Sequence, residues 1–213
     1  MRDGAQAGAG NHARRARSDG PVVQLMHSGL DASPWVRRFA GLVPAGEVLD
    51  LACGSGRHAR LFAGLGHPVV ALDRDPAALA AAAGQGIATM QYDLEHEASA
   101  WPFAPGRFAG IVVTNYLHRP LLPQLAQSLA PGGVLIYETF ALGNELFGKP
   151  SNPAFLLAPG ELLGLASVGG LRVIAYELGF VSQPKPAVVQ RLCATGPDYA
   201  YTGALLDHLS GQE

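Results

Sequence analysis

The sequence predicts an α/β protein built on a doubly wound, mostly parallel, seven-stranded sheet with one antiparallel strand near the C-terminus. Three observations predict it. Short, continuously apolar runs recur along the chain, as expected for strands covered on both faces. The segments between them carry helical apolar spacing and are stopped by Gly or Pro. The last two apolar runs are joined by a connection too short for a crossover, so the final strand returns as a hairpin.

Taken in order, residues 1–20 are Gly-, Ala- and polar-rich with Arg14, Arg15 and Arg17, and no apolar stretch follows them as a targeting signal would need. They read as a disordered arm, with residues 21–195 as one domain and 196–213 as a C-terminal tail. Pro34 to Val43 places Trp35, Val36, Phe39 and Leu42 at helical spacing behind Ser33 as N-cap and Pro34 in the first turn. Val48 to Leu51 is the first strand, and Leu61, Phe62 and Leu65 mark a helix that stops at Gly66. Pro68 to Leu72 is the second strand, followed by the Ala-rich helix Pro76 to Ala83. Ile87 to Tyr92 and Phe108 to Thr114 are the third and fourth. Leu121, Leu122, Leu125, Ala126 and Leu129 form one helical face, which Pro131-Gly132-Gly133 ends before a fifth strand at Val134 to Tyr137. Leu171 to Leu178 and Ala187 to Ala194 are the hairpin strands.

Composition narrows the function. Hydrophobic residues are 48% of the chain and charged residues 15%, enough for a core that needs no disulfide or metal. Fifteen Lys and Arg against 17 Asp and Glu leave a net charge of −2, without the basic excess that neutralises nucleic-acid phosphates. No apolar run approaches the ~20 residues of a membrane span. Two cysteines, Cys53 and Cys193, cannot form a disulfide framework and read as small buried hydrophobes of a reducing, cytoplasmic compartment. The histidines show no metal-ligand spacing, so no metal is expected.

In a doubly wound sheet the ligand lies outside the carboxyl ends of the strands, and the informative residues here follow strands. Asp50-Leu51-Ala52-Cys53-Gly54-Ser55-Gly56 closes the first; its small residues let the backbone turn sharply and approach a ligand. The helix beyond offers free N–H groups to an anion. Asp73 ends the second strand, 23 positions after Asp50, where a carboxylate can accept from both hydroxyls of a ribose. Asp93 ends the third strand, 20 positions further, and can accept from an exocyclic amine; Asn115 ends the fourth. An Asp after a strand also commonly caps the next helix, a role open to Asp73 ahead of Pro76.

Over roughly Pro34 to Ala194 these motifs resemble the class I S-adenosylmethionine-dependent methyltransferases, whose sheet is Rossmann-like. That family's first motif is acid-x-Gly-x-Gly-x-Gly; here Ala52 stands at the first Gly. The resemblance implies that S-adenosylmethionine is the cofactor and that Ala52, Cys53, Gly54 and Gly56 line the loop holding its methionine part. It implies that Asp50 orients the amino group, Asp73 takes the ribose and Arg74 lies beside the adenine. Asp93 and Leu94 would then meet the adenine edge, with Asn115 near the methionine part. The pattern is similar to small bacterial methyltransferases of the tellurite-resistance type.

Two other readings use the same residues. Gly54-Ser55-Gly56-Arg57-His58-Ala59 fits a dinucleotide fingerprint, with Asp73 selecting NAD, as in an NAD-dependent oxidoreductase. A protein that binds S-adenosylmethionine without transferring its methyl group is the third. Asp50 at the mouth of the loop would repel a pyrophosphate and attract an ammonium, which favours the methyltransferase. For transfer to a protonated acceptor, His118 is the expected general base, with Tyr116 and Arg119 beside it; His58 reads as a packing residue. Thr139 to Pro159 reads as an ordered cover over a small-molecule acceptor, with Glu138, Thr139, Asn144 and Lys149 able to contact it. Trp35 would close the other side or pack in the core.

Overall fold

The computed structural model describes residues 31–96 and 100–203. The expected arm at 1–20, and residues 204–213 of the expected tail, lie outside the described residues. Seven strands form one sheet: β1 Val48–Leu51, β2 Val69–Asp73, β3 Ile87–Gln91, β4 Phe108–Thr114, β5 Leu129–Phe140, β6 Arg172–Val181 and β7 Ala187–Thr195. Their order is β3-β2-β1-β4-β5-β7-β6. Pairings from β3 to β5 are parallel, and β7 runs antiparallel to both its neighbours. The chain winds outward from β1 to β3 and then returns to the far side of β1, so the topological switch lies between β1 and β4.

Strand alternation divides the core between the two faces. Leu49, Leu51, Ile111, Val113, Leu135 and Tyr137 pack with residues of α4 (Leu122–Ser128) and α5 (Glu161–Val168). Val48, Ala71, Val112, Val134 and Ile136 pack against α1 (Pro34–Ala40), α2 (Arg57–Gly64) and α3 (Pro76–Ala82). The helix starts obey the chemistry of their first turns. Ser33 caps α1 by accepting from Trp35 N at 3.1 Å, with Pro34 at the first helical position. Asp75 caps α3 by accepting from Ala77 N at 2.8 Å.

Three elements differ from expectation. β5 begins at Leu129, so Pro131-Gly132-Gly133 lies inside the strand instead of ending a helix before it. Its ladder to β4 jumps from the Phe108–Leu129 pair to the Gly110–Val134 pair, a bulge. A Cβ on Gly133 would meet Phe108 O at 2.8 Å, which is why glycine sits there. The helix α5 is not announced by periodicity, because Glu-Leu-Leu-Gly-Leu-Ala-Ser-Val is apolar over most of its length. Within the expected cover, Ala141 bridges Leu157, and 3₁₀ turns form at Asn144–Leu146 and Pro153–Phe155. Beyond β7, Tyr199 donates to Leu42 O at 2.9 Å and packs against the α1 side of the core.

Candidate functional site

The carboxyl tips of β1, β2 and β3 surround a cleft of about 190 Å³. Ala52, Asp73, Arg74, Asp93, Leu94 and Tyr116 line it, together with Leu72, Tyr92 and Glu95, three residues that motif reading passes over. Their positions are a usable signal: each directly precedes, or follows by two, a strand-end aspartate. Asp50, Cys53, Gly54, Gly56, Asn115 and His118 do not line this cleft.

The Gly loop is held from two sides. Asp73 Oδ2 accepts from Gly54 N at 2.8 Å and Oδ1 from Asp75 N at 3.0 Å. The capping of α3 falls to Asp75, leaving Asp73 at the cleft wall. Asp50 is buried, and its Oδ2 accepts from Ala59 N at 2.8 Å. Gly56 precedes α2 in a left-handed conformation (φ 76°) and supplies no cap of its own, so the strand residue Asp50 caps the helix instead. A Cβ on Gly56 would lie 2.6 Å from Ala82 Cβ, so this glycine serves the contact between α2 and α3. Ala52 (φ 53°) and Asn115 (φ 55°) both occupy the left-handed region, at the tips of neighbouring strands β1 and β4. Side chains there cost roughly 1–2 kcal/mol, strain of the kind that concentrates at functional sites.

Burial pushes the Asp50 carboxyl up to about 7, against the pull of Ala59 N–H and Arg57. Burial likewise holds the Tyr116 phenol above its usual range, reinforced by the Glu95 carboxylate, so it stays protonated and serves as a donor. Cys53 is pushed up to about 12 by burial and is an inert thiol.

Behind the tips of β4 and β5 lies a buried polar cluster. Ser33 Oγ donates to Glu138 Oε1 at 2.9 Å, Arg191 Nε donates to Glu138 Oε2, and Arg191 also reaches Glu177 at 3.1 Å. His58 Nε2 accepts from Ser33 N at 3.1 Å, so its proton sits on Nδ1, facing Thr114 Oγ1 at 3.4 Å. Burial, aided by Arg57 and Arg37, pushes His58 down to about 3, keeping it neutral. The cluster bolts the start of α1 to α2 and β5. Trp35 is buried with Nε1 donating to Leu192 O at 3.3 Å, placing it in the core.

Of the four residues expected at the acceptor, Glu138 is committed to this cluster and Thr139 is buried. Asn144 is buried too, bonded to Pro150 O at 2.9 Å and Val188 N at 3.2 Å. Lys149 alone is exposed. Arg119 grips Glu161 in two bonds of 2.7 and 3.0 Å and donates to Ala154 O at 2.6 Å and Leu156 O at 2.8 Å. It thereby clamps the cover to the tip of β4. His118 is half-buried in the same connection. Among the described residues no group of three or more His, Cys, Asp or Glu could hold a metal, and no helix is long and apolar enough to cross a membrane.

The two shifted buried groups have opposite effects on stability. Folded Asp50 holds its proton more tightly than the unfolded value of 3.8, so its contribution declines as pH rises from about 4 to about 7. Folded His58 holds its proton less tightly than the unfolded value of 6.5, so its contribution grows as pH rises from about 3 to about 6.5. Asp50→Asn keeps an oxygen for Ala59 N–H and deletes the first slope. Urea titrations of this variant should show stability climbing between pH 4 and 6.5 more steeply than in the parent. Superimposable profiles would mean that Asp50 is ionised throughout.

The chemistry of the cleft suits a nucleoside: two carboxylates flank the apolar walls of Leu72, Tyr92 and Leu94. Comparison with known proteins agrees. Residues 48–133 match the profile of a methyltransferase domain. Over that stretch the chain is similar to methyltransferase domains. The cofactor that such a domain implies is S-adenosylmethionine, and the residues at the tips of β1 to β3 fit its nucleoside part.

An uncharacterized methyltransferase of Bacillus subtilis, YodH, is 32% identical over 136 residues, covering 59% of this chain and 54% of the relative. A protein-L-isoaspartate O-methyltransferase of Chlorobaculum tepidum is 35% identical over 107 residues, 48% of this chain and 49% of the relative. The chain thus spans about half the length of the curated relatives it matches. Among solved structures, an S-adenosylmethionine-dependent methyltransferase from Mesorhizobium loti superposes with a TM-score of 0.61 at 17% identity, over 78% of this chain and 100% of that one. At such identity the likeness establishes the fold alone: the Rossmann-like sheet whose seventh strand inserts antiparallel.

Proposed function

We propose that the protein transfers a methyl group from S-adenosylmethionine to a small-molecule acceptor by in-line displacement. The cleft between Asp73 and Asp93 carries this reading. Asp73 keeps lone pairs for ribose hydroxyls while bonding Gly54 N and Asp75 N, and Asp93, bonded to Glu95 N through Oδ1, has its other oxygen without a partner among the described residues. The cofactor supplies a methyl group on a positively charged sulfur that leaves as a neutral thioether, so the protein's task is alignment and exclusion of water. Tyr116, protonated and at the cleft wall, donates a hydrogen bond there. His118, two residues on, takes a proton from the acceptor when it carries one.

The dinucleotide reading fares worse at the start of α2. Ala59 N is bonded to Asp50, Gly54 N to Asp73 and Gly56 N to Cys53 O, so half of the six amides from Gly54 to Ala59 are already used. A buried acid stands directly beneath that helix start. The test is thermal: S-adenosylhomocysteine should raise the melting temperature, NAD should not, and His118→Ala should keep the shift while slowing transfer about 10²-fold or more. A shift with NAD alone would replace the methyltransferase by an oxidoreductase.

A further inference from the structure

We propose that a second cleft, formed by the 149–155 part of the cover, binds the anionic end of the methyl acceptor, and that the acceptor is a flat, apolar ring compound bearing a carboxylate or similar group. The proposal deepens the methyl-transfer reading and rests on it. The cleft is a shallow, open depression of about 450 Å³ lined by Lys149, Pro150, Ser151, Asn152 and Phe155.

Its chemistry is one-sided. Phe155 is 48% exposed and, with Pro150, provides an apolar plate. The polar groups beside it can all donate. Lys149 has no carboxylate partner among the described residues. Asn152 uses its oxygen to accept from Ala154 N at 3.0 Å, and its amide hydrogens have no partner among the described residues. Ser151 adds a hydroxyl. An ammonium, an amide N–H₂ and a hydroxyl beside a ring face select an anion on a planar apolar body.

The loop that forms the cleft is held in place. Asn144 Nδ2 holds Pro150 O at 2.9 Å, and Arg119 holds the carbonyls on either side of Phe155, those of Ala154 and Leu156. Arg119 follows the cofactor-cleft residue Tyr116 by three positions, at most about 11 Å of chain. The segment after β4 thus supplies Tyr116 to the first cleft and, through Arg119, holds the loop that forms the second.

Two dyes test this on the full chain: 8-anilinonaphthalene-1-sulfonate, and N-phenyl-1-naphthylamine, which has the same rings without the sulfonate. The sulfonate should bind saturably and lose about tenfold or more in affinity in Lys149→Glu. It should be unaffected by Arg172→Glu, the same charge change at the start of β6. The neutral amine should bind the parent and Lys149→Glu alike. Equal binding of the sulfonate to the parent and Lys149→Glu overturns the proposal. So does equal affinity of the two dyes for the parent, which would mark a patch for an apolar protein segment. S-adenosylhomocysteine melting shifts measured on the same three proteins separate the readings: their absence in all three refutes methyl transfer, while the dyes alone judge the cleft.

Discussion

Asp73→Ala is expected to weaken S-adenosylhomocysteine binding by about 1–3 kcal/mol, roughly 5- to 150-fold, measured by calorimetry. Two losses combine in it. The ribose hydroxyls lose their acceptor at the cleft wall. Gly54 N and Asp75 N also lose the oxygens that hold them at 2.8 and 3.0 Å, so the loop after β1 is no longer pinned to the tip of β2. Asp73→Asn separates the two: its single amide oxygen can serve Gly54 N, while its N–H₂ group faces whatever the second carboxylate oxygen bonded. Its affinity should fall between the parent and the alanine variant. An alanine variant that binds with parental affinity would remove Asp73 from the site.

The largest expected loss of stability follows Glu138→Ala, about 3 kcal/mol in urea titrations. Breaking a buried pair costs about 3–5 kcal/mol because the remaining charge is left uncompensated. The lower end applies here because the Arg191 side chain is 20% exposed and keeps Glu177. Ser33 Oγ loses its acceptor in the same step, loosening the start of α1. Glu138→Gln retains an oxygen for Ser33 but turns an N–H₂ group toward Arg191, and should cost less. A loss below about 1 kcal/mol for the alanine variant would mean that Arg191 finds full compensation at Glu177.

The fold was legible because its signals are local. Continuous apolar runs such as Phe-Ala-Gly-Ile-Val-Val-Thr (108–114) can be strands only if both faces are covered, and every residue of that strand is buried. Asp73 and Asp93 were legible at the cleft for the same reason: a strand end is visible in sequence, and topology sends consecutive parallel strand ends to one side. Elements without a local signal were not. Uniform apolarity hid α5, and Pro131-Gly132-Gly133 reads as a stop until Phe108 O is seen where a Cβ would go.

The sequence by itself determined the doubly wound sheet, its antiparallel seventh strand and which strand-end acids could meet a nucleoside, because each follows from chain-local patterns of polarity and small residues. Only the tertiary structure decided how those acids divide their work. Asp73 faces the cleft while Asp50 turns beneath it to cap α2, and Glu138 is claimed by Ser33 and Arg191. A carboxylate's role depends on which donors lie within about 3 Å of it, and those donors come from residues far away in the chain.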